Sequence, residues 1–84
     1  MNNNATGYEN IAIGYYALLA NTGSNNTAVG VECLDANTTG TQNTAIGKAS
    51  LSANTTADFN SALGAYALQA NTTADANTAV GWSS

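Results

Sequence analysis

The sequence predicts an all-β repeat protein, a β-solenoid or β-roll of about five 17-residue coils. Three observations lead to this fold class. The chain carries a strict internal repeat, each repeat contains a short β-forming segment that ends at glycine, and one unit is too short to fold alone. The length of 84 residues corresponds to one domain, and we expect a single solenoid domain over residues 1–84.

Several residue columns recur in phase along the chain. Each unit after the first begins at a leucine. A glycine column and two asparagine columns keep the same phase, and one unit is a residue shorter than the others. That unit contains Asn21-Thr22-Gly23 where the next unit has Asn37-Thr38-Thr39-Gly40. The units begin near Met1, Leu18, Leu34, Leu51 and Leu68. Units of this length offer about two large apolar side chains each, so they must stack on their neighbours to fold.

The first element of each unit is a short strand closed by a turn. In the segment 43–47, β-branched residues alternate with small ones before the chain reaches Gly47. A glycine at every such end indicates a backbone with positive φ or a close approach between chains. The equivalent glycines are Gly14, Gly30, Gly47, Gly64 and Gly81.

The second element is a turn rich in asparagine and threonine, as in segment 54–58. Stacked coils place equivalent residues about 4.8 Å apart. Each asparagine amide can then bond to the neighbouring coil and form a ladder. We expect such a ladder along Asn37, Asn54 and Asn71, in the same column as Asn4 and Asn21. The segment between strand and turn, 48–53, fits either a second strand or one turn of helix.

The aliphatic column allows two arrangements. Alternation along the strand puts Thr44 and Ile46 on one side and Ala45 on the other. Either the aliphatic column lines the core or the alanine column does, and the other column is left to pack against another chain. A thin core and a second packable face predict a homotrimer. The aliphatic column, the candidate core or oligomer strip, is Ile13, Val29, Ile46, Leu63 and Val80.

The composition excludes several functions. The chain has no Arg and no His, and its only basic side chain is Lys48, so we expect no nucleic-acid binding. Without histidine the usual general base is missing, and we expect no enzyme, no catalytic residues and no cofactor. Asp58 and Asp75 share one column and form a weak candidate pair for a metal such as Ca²⁺. Cys33 is alone, and no apolar run is long enough for membrane insertion.

The repeat phrases Asn26-Thr27-Ala28-Val29-Gly30 and Gln42-Asn43-Thr44-Ala45-Ile46-Gly47 resemble the shaft repeats of phage tail fibres and tail-fibre-domain proteins. They are more distantly similar to the head repeats of trimeric autotransporter adhesins, whose unit is shorter. The resemblance covers the whole chain. It implies a trimeric β-roll or β-helix on a virion tail fibre or at a cell surface. A shaft of this kind would space and stiffen a receptor-binding assembly, and a cell-surface glycan would bind through the full-length fibre.

Two other functions remain open at this stage. Tyr15, Tyr16 and Trp82 could stack on sugars in a carbohydrate-binding adhesin module, or they could cap the edges of the stack. An ice-binding solenoid would also use threonines in register. Ice-binding solenoids typically carry a T-x-T phrase in each coil, however, and here only Thr39-Gly40-Thr41 has it. The sequence therefore favours the shaft.

Overall fold

The computed structural model describes residues 8–83 and confirms an all-β solenoid of about four turns. Within those residues there is no helix, and so no helix that could cross a membrane. Five parallel strands form one sheet in chain order. They are β1 (Ile11–Ile13), β2 (Thr27–Val29), β3 (Thr44–Ile46), β4 (Ser61–Leu63) and β5 (Thr78–Val80). The unit expected to begin at Met1, together with Asn4, starts outside the described residues.

Neighbouring strands pair without any slip in register. Ala45 of β3 faces Ala28 of β2 and Ala62 of β4, so each strand repeats the one before it. The ladder of backbone hydrogen bonds continues beyond the strands. The Gly47 N–H donates to the Val29 carbonyl at 2.8 Å, and the Ala49 N–H donates to the Val31 carbonyl at 2.9 Å. The coils are therefore joined over much more of their path than the three-residue strands.

The core is built from small residues and one leucine column. The middle residue of each strand is an alanine that points inward, and from β1 to β4 these alanines are buried. Opposite them lies a second column of buried small residues, Ala17, Cys33, Ser50 and Ala67. Leu18, Leu34 and Leu51 are fully buried beside them. Of the two arrangements left open by the sequence, the structure has the alanine column inside and the aliphatic column outside.

The segment between strand and asparagine turn is neither a second strand nor a helical turn. Segment 48–53 consists of tight turns, in which the Ser50, Ser52 and Asn54 N–H groups donate to carbonyls three residues earlier. Ala49 and Leu51 have φ of 56° and 53°, the positive values that a type II turn requires at its third residue. Leucine rarely adopts this conformation, but here it places the fully buried Leu51 side chain in the core.

The shorter unit, which has 16 residues instead of 17, is one residue shorter at the asparagine turn, and the stack remains intact. The Asn37 side-chain N–H donates to the Gly40 carbonyl three residues later, whereas the Asn21 side chain reaches the Gly23 carbonyl two residues later. The Asn37 amide still donates to the Asn21 Oδ1 atom at 2.7 Å. The shortened turn therefore keeps the asparagine column in phase.

Candidate functional site

The outward side of the five-stranded sheet is the main candidate interaction surface. The first and third residues of each strand point away from the core, and they form two columns that we call together the outer sheet face. The first column is Ile11, Thr27, Thr44, Ser61 and Thr78. The second column is Ile13, Val29, Ile46, Leu63 and Val80. Along each strand the two columns lie about 6.6 to 6.8 Å apart.

This face is uncharged, and its aliphatic column is apolar. The aliphatic column is exposed along most of its length, and Val80 retains 69% of its accessible surface. Between β3 and β5 lies a shallow depression of about 240 Å³, lined by both columns and by Ala62 and Ala79. None of the ten residues of the outer sheet face carries a charge, although the chain has a net charge of −4. Contiguous exposed apolar surface of this kind is typical of interaction sites.

An asparagine ladder runs through the opposite corner of the coil. The Asn54 Nδ2 group donates to Asn37 Oδ1 at 2.9 Å, and the Asn71 Nδ2 group donates to Asn54 Oδ1 at 3.1 Å. The Asn54 Nδ2 group also donates to the Ala57 carbonyl and closes its own turn. Asn37 and Asn54 are fully buried, whereas Asn71 in the last coil is only partly buried.

The second asparagine column joins each coil to both of its neighbours. The Asn43 backbone N–H donates to Asn26 Oδ1 at 3.0 Å, and the Asn60 backbone N–H donates to Asn43 Oδ1 at 2.9 Å. In the other direction the Asn43 Nδ2 group donates to the Ala57 carbonyl at 2.8 Å. Across the described residues, every buried side-chain nitrogen and oxygen atom has a hydrogen-bond partner. The interior is therefore polar but fully satisfied.

Each glycine of the turn column has positive φ, and the four from Gly14 to Gly64 lie against the backbone of the next coil. At Gly47 φ is 125°, and a Cβ atom there would lie 2.6 Å from the Gly64 carbonyl carbon and 2.7 Å from its oxygen. The five glycines Gly14, Gly30, Gly47, Gly64 and Gly81 have φ between 122° and 135°. Both reasons for a glycine considered from the sequence therefore apply together.

Asp58 and Asp75 lie in one column, but their carboxylates bind backbone. Asp58 Oδ1 accepts from the Thr41 N–H at 2.8 Å, and Asp75 Oδ1 accepts from the Asp58 N–H at 2.8 Å. Within residues 8–83 no group of three or more His, Cys, Asp or Glu residues could hold a metal ion. Ser24 lies at the position in its own coil that Asp58 and Asp75 occupy in theirs. It bonds to the neighbouring coil in a similar way, since its hydroxyl accepts a hydrogen bond from the Tyr8 N–H. This geometry makes the pair part of the coil-to-coil bonding.

Cys33 is a core residue. It is fully buried, and its Sγ–H group donates to the Ala45 carbonyl at 3.0 Å. Burial raises the pKa of the thiol to about 11. Ser50 occupies the equivalent position in the next coil and donates to the Ala62 carbonyl in the same way. Burial also raises the pKa of the nearby Asp35, and the charge of Glu32 adds to that effect.

Four of the aromatic side chains form two separate pairs, and Tyr8 and Phe59 are exposed outside these pairs. The Tyr15 and Tyr16 ring centroids are 4.0 Å apart, and those of Tyr66 and Trp82 are 6.5 Å apart in an edge-to-face arrangement. Trp82 is largely exposed, and Tyr66 also lines an open groove that includes Gln69. The structure does not bring the Tyr15 pair and Trp82 together into one aromatic surface.

Comparison with known proteins finds no matching protein-family model, no matching curated protein and no matching solved structure.

Two features of this surface and interior are predicted only in part by the sequence. The first column of the outer sheet face, with Thr27, Thr44 and Thr78, borders the aliphatic column, and the strand alternation indicates it. The second asparagine column is evident as a repeat, but its two-way bonding depends on where the next coil lies. Side-chain periodicity finds the first feature, and no sequence signal identifies the second.

Proposed function

We propose that this chain is a structural shaft module of a homotrimeric fibre or adhesin, which spaces and stiffens a receptor-binding assembly. The observation that carries the proposal is the bonding between coils. Backbone and asparagine side chains join each coil to the next with the same atoms each time, as at Asn43 and Asn60. A stack held together in this way is uniform along its axis and can be lengthened by adding coils.

The interior explains why such a module would be stiff. Adjacent coils share ladder bonds at two asparagine columns, and further bonds connect their backbones. Bending or sliding one coil would break several buried hydrogen bonds at once, and each unsatisfied group costs roughly 1–3 kcal/mol. A rod with this interior keeps a constant spacing between its two ends, which is what a shaft requires.

The proposal includes assembly and location. The thin core and the uncharged outer sheet face support a homotrimer, whose place would be a virion tail fibre or another extracellular surface. Receptor or glycan recognition would belong to the full-length fibre. Four aromatic side chains form two separated pairs, and the exposed Tyr8 and Phe59 lie outside those pairs, so the paired rings do not form one continuous stacking surface for a sugar.

Two measurements test the shaft. Light scattering should return about three times the chain mass of 8.4 kDa, which is about 25 kDa. Duplicating residues 34–67 adds two coils and should lengthen the particle seen by small-angle X-ray scattering by about 10 Å, since each coil rises about 4.8 Å. A monomeric mass would contradict the trimer. An unchanged particle length would contradict the shaft.

A second candidate, ice binding, gains support from one observation. Thr27, Thr44 and Thr78 lie in register on the outside of the parallel sheet, with Ser61 between Thr44 and Thr78, next to the aliphatic column. A regular, uncharged array of hydroxyl and methyl groups could order water. In this case the outer sheet face would be exposed to solvent and the chain would be monomeric. It would show thermal hysteresis, and Thr44→Lys would abolish that activity. Absence of thermal hysteresis in the native chain would remove this candidate.

A further inference from the structure

We propose that the outer sheet face is the surface through which copies of this chain pack against one another, with Ile46 and Leu63 at its centre. This inference rests on the proposed homotrimer and specifies which side of each coil faces the other chains. The packed surface would consist of the two outward columns from β1 to β5. The asparagine turns and acidic residues would remain on the outside of the assembly.

The first argument comes from the sheet itself. All-parallel sheets occur almost only where both of their faces are covered. Here the inner face is covered by the leucine column and the column of small residues, of which Leu51 and Ser50 are members. The outer face of the same sheet has no cover within the described chain and exposes Ile46 and Leu63. A second layer over this face would complete the arrangement that parallel sheets normally have.

The second argument identifies the occupant as another copy. Each chain carries a net charge of −4, so two copies repel least when they meet where charge is absent. The outer sheet face is such a region, since the strands have no charged residue. Glu32 and Asp35 lie in turns, and Asp58 lies outside the strands. Copies that pack through this face therefore keep their acidic side chains away from the contact.

The third argument is the match of repeat spacing. Side chains in each outward column recur at the rise of the coil, about 4.8 Å. A second copy offers the same spacing, so the Ile46 layer of one chain meets an equivalent layer of the next along the whole face. Parallel chains around a three-fold axis would place equivalent residues at one height. Each added coil contributes two more side chains per copy, so a longer array should associate more tightly.

The test compares two lysine substitutions at residues of equal exposure. Ile46, on the outer sheet face, keeps 39% of its surface and Val31, outside it, keeps 41%. Ile46→Lys should raise the protein concentration needed for half-association at least tenfold, as measured by analytical ultracentrifugation, because it places charges in the packed layer. Val31→Lys should leave this concentration within about twofold of the native value. Circular dichroism should show the same β-sheet content in both variants.

A cross-linking experiment covers the case in which Ile46→Lys does not fold. In a Cys33→Ser background, Leu63→Cys should form disulfide-linked dimers of the chain on oxidation, whereas Val31→Cys should remain uncross-linked. An oligomer that is disrupted by Val31→Lys and unaffected by Ile46→Lys, or cross-linking at Val31→Cys alone, would overturn the assignment of this face but leave the homotrimer intact. A native chain that is monomeric at every concentration would overturn both.

Discussion

The two faces of the parallel sheet reverse the usual distribution of residues. The inner face carries alanines such as Ala45 and packs against the leucine column, and asparagines such as Asn43 and Asn54 are buried in the same interior. The outer face carries Ile46 and Leu63, which are exposed. In an ordinary half-buried sheet the large aliphatic side chains point inward. The comparison shows that hydrogen-bonded amide ladders can complete an interior whose large apolar side chains are limited to one leucine column.

This reversal separates two sources of stability. On the inner side, stability depends on close backbone approach and on complete hydrogen bonding, because a buried polar group without a partner is costly. On the outer side, single side chains have little effect on the fold of one chain, since surface substitutions usually change the free energy of unfolding by less than about 0.5 kcal/mol. The following substitutions test this division, beginning with the largest expected effect.

Replacing Gly47 with valine should unfold the stack or come close to it. The position combines a φ of 125° with a backbone contact that a Cβ atom would bring to 2.6 Å. Backbone strain and overpacking each cost about 1–3 kcal/mol, so the loss should reach several kcal/mol. The neighbouring substitution Lys48→Val, at an exposed residue, serves as the control and should change little. Thermal unfolding measures both, and equal melting temperatures would refute the part assigned to the glycine column.

Replacing Asn54 with alanine should be the next most damaging change. Asn37 would lose a donor to its Oδ1 atom, and the Asn71 amide would lose its acceptor. Each unsatisfied buried group costs roughly 1–3 kcal/mol. Asn71→Ala is the matched control, because Asn71 lies in the last described coil and is only partly buried. Denaturant unfolding should give Asn54→Ala a clearly lower free energy of unfolding than Asn71→Ala. The reverse order would mean that the ladder contributes little to stability.

Placing a valine on each side of one strand sharpens the comparison of the faces. Ala45→Val adds two carbon atoms between Ala28 and Ala62 in the fully buried inner column, and overpacking should cost about 1–3 kcal/mol. Thr44→Val places the same side chain on the exposed outer face and should be neutral within about 0.5 kcal/mol. If urea unfolding gives the two variants equal stability, the alanine column is not tightly packed.

The smallest expected effect concerns the buried thiol and pH. Burial raises the pKa of Cys33 from 9.0 to about 11, so the folded state holds the proton more tightly than the unfolded chain does. The stability linked to this proton is complete below about pH 9 and is lost as pH rises from 9 to 11. Cys33→Ser should fold normally, since Ser50 fills the equivalent position, and should lack this contribution. Melting temperatures across that range check the difference between the variants, and parallel pH curves would contradict it.

The sequence predicted those parts of the fold that depend on one residue type at one position. The glycine column required positive φ or close approach, and Gly47 has both. The choice between inner and outer columns could not be made, because Ala45 and Ile46 are both apolar and a three-residue strand gives too short an alternation. The turns around Leu51 were not predicted either. Leucine favours helix in isolation, but here the tight turn gives Leu51 a φ of 53° and buries its side chain.

The sequence separation between hydrogen-bonded residues affects how this chain would fold. Bonds between neighbouring coils join residues 12 to 18 positions apart, as in Cys33 with Ala45 and Gly47 with Val29. Closing each new coil therefore costs the same loop entropy, however long the rod becomes. After one pair of coils has formed, further coils add from either end at similar rates. Under tension the rod should release one coil at a time from its ends, in equal steps of extension.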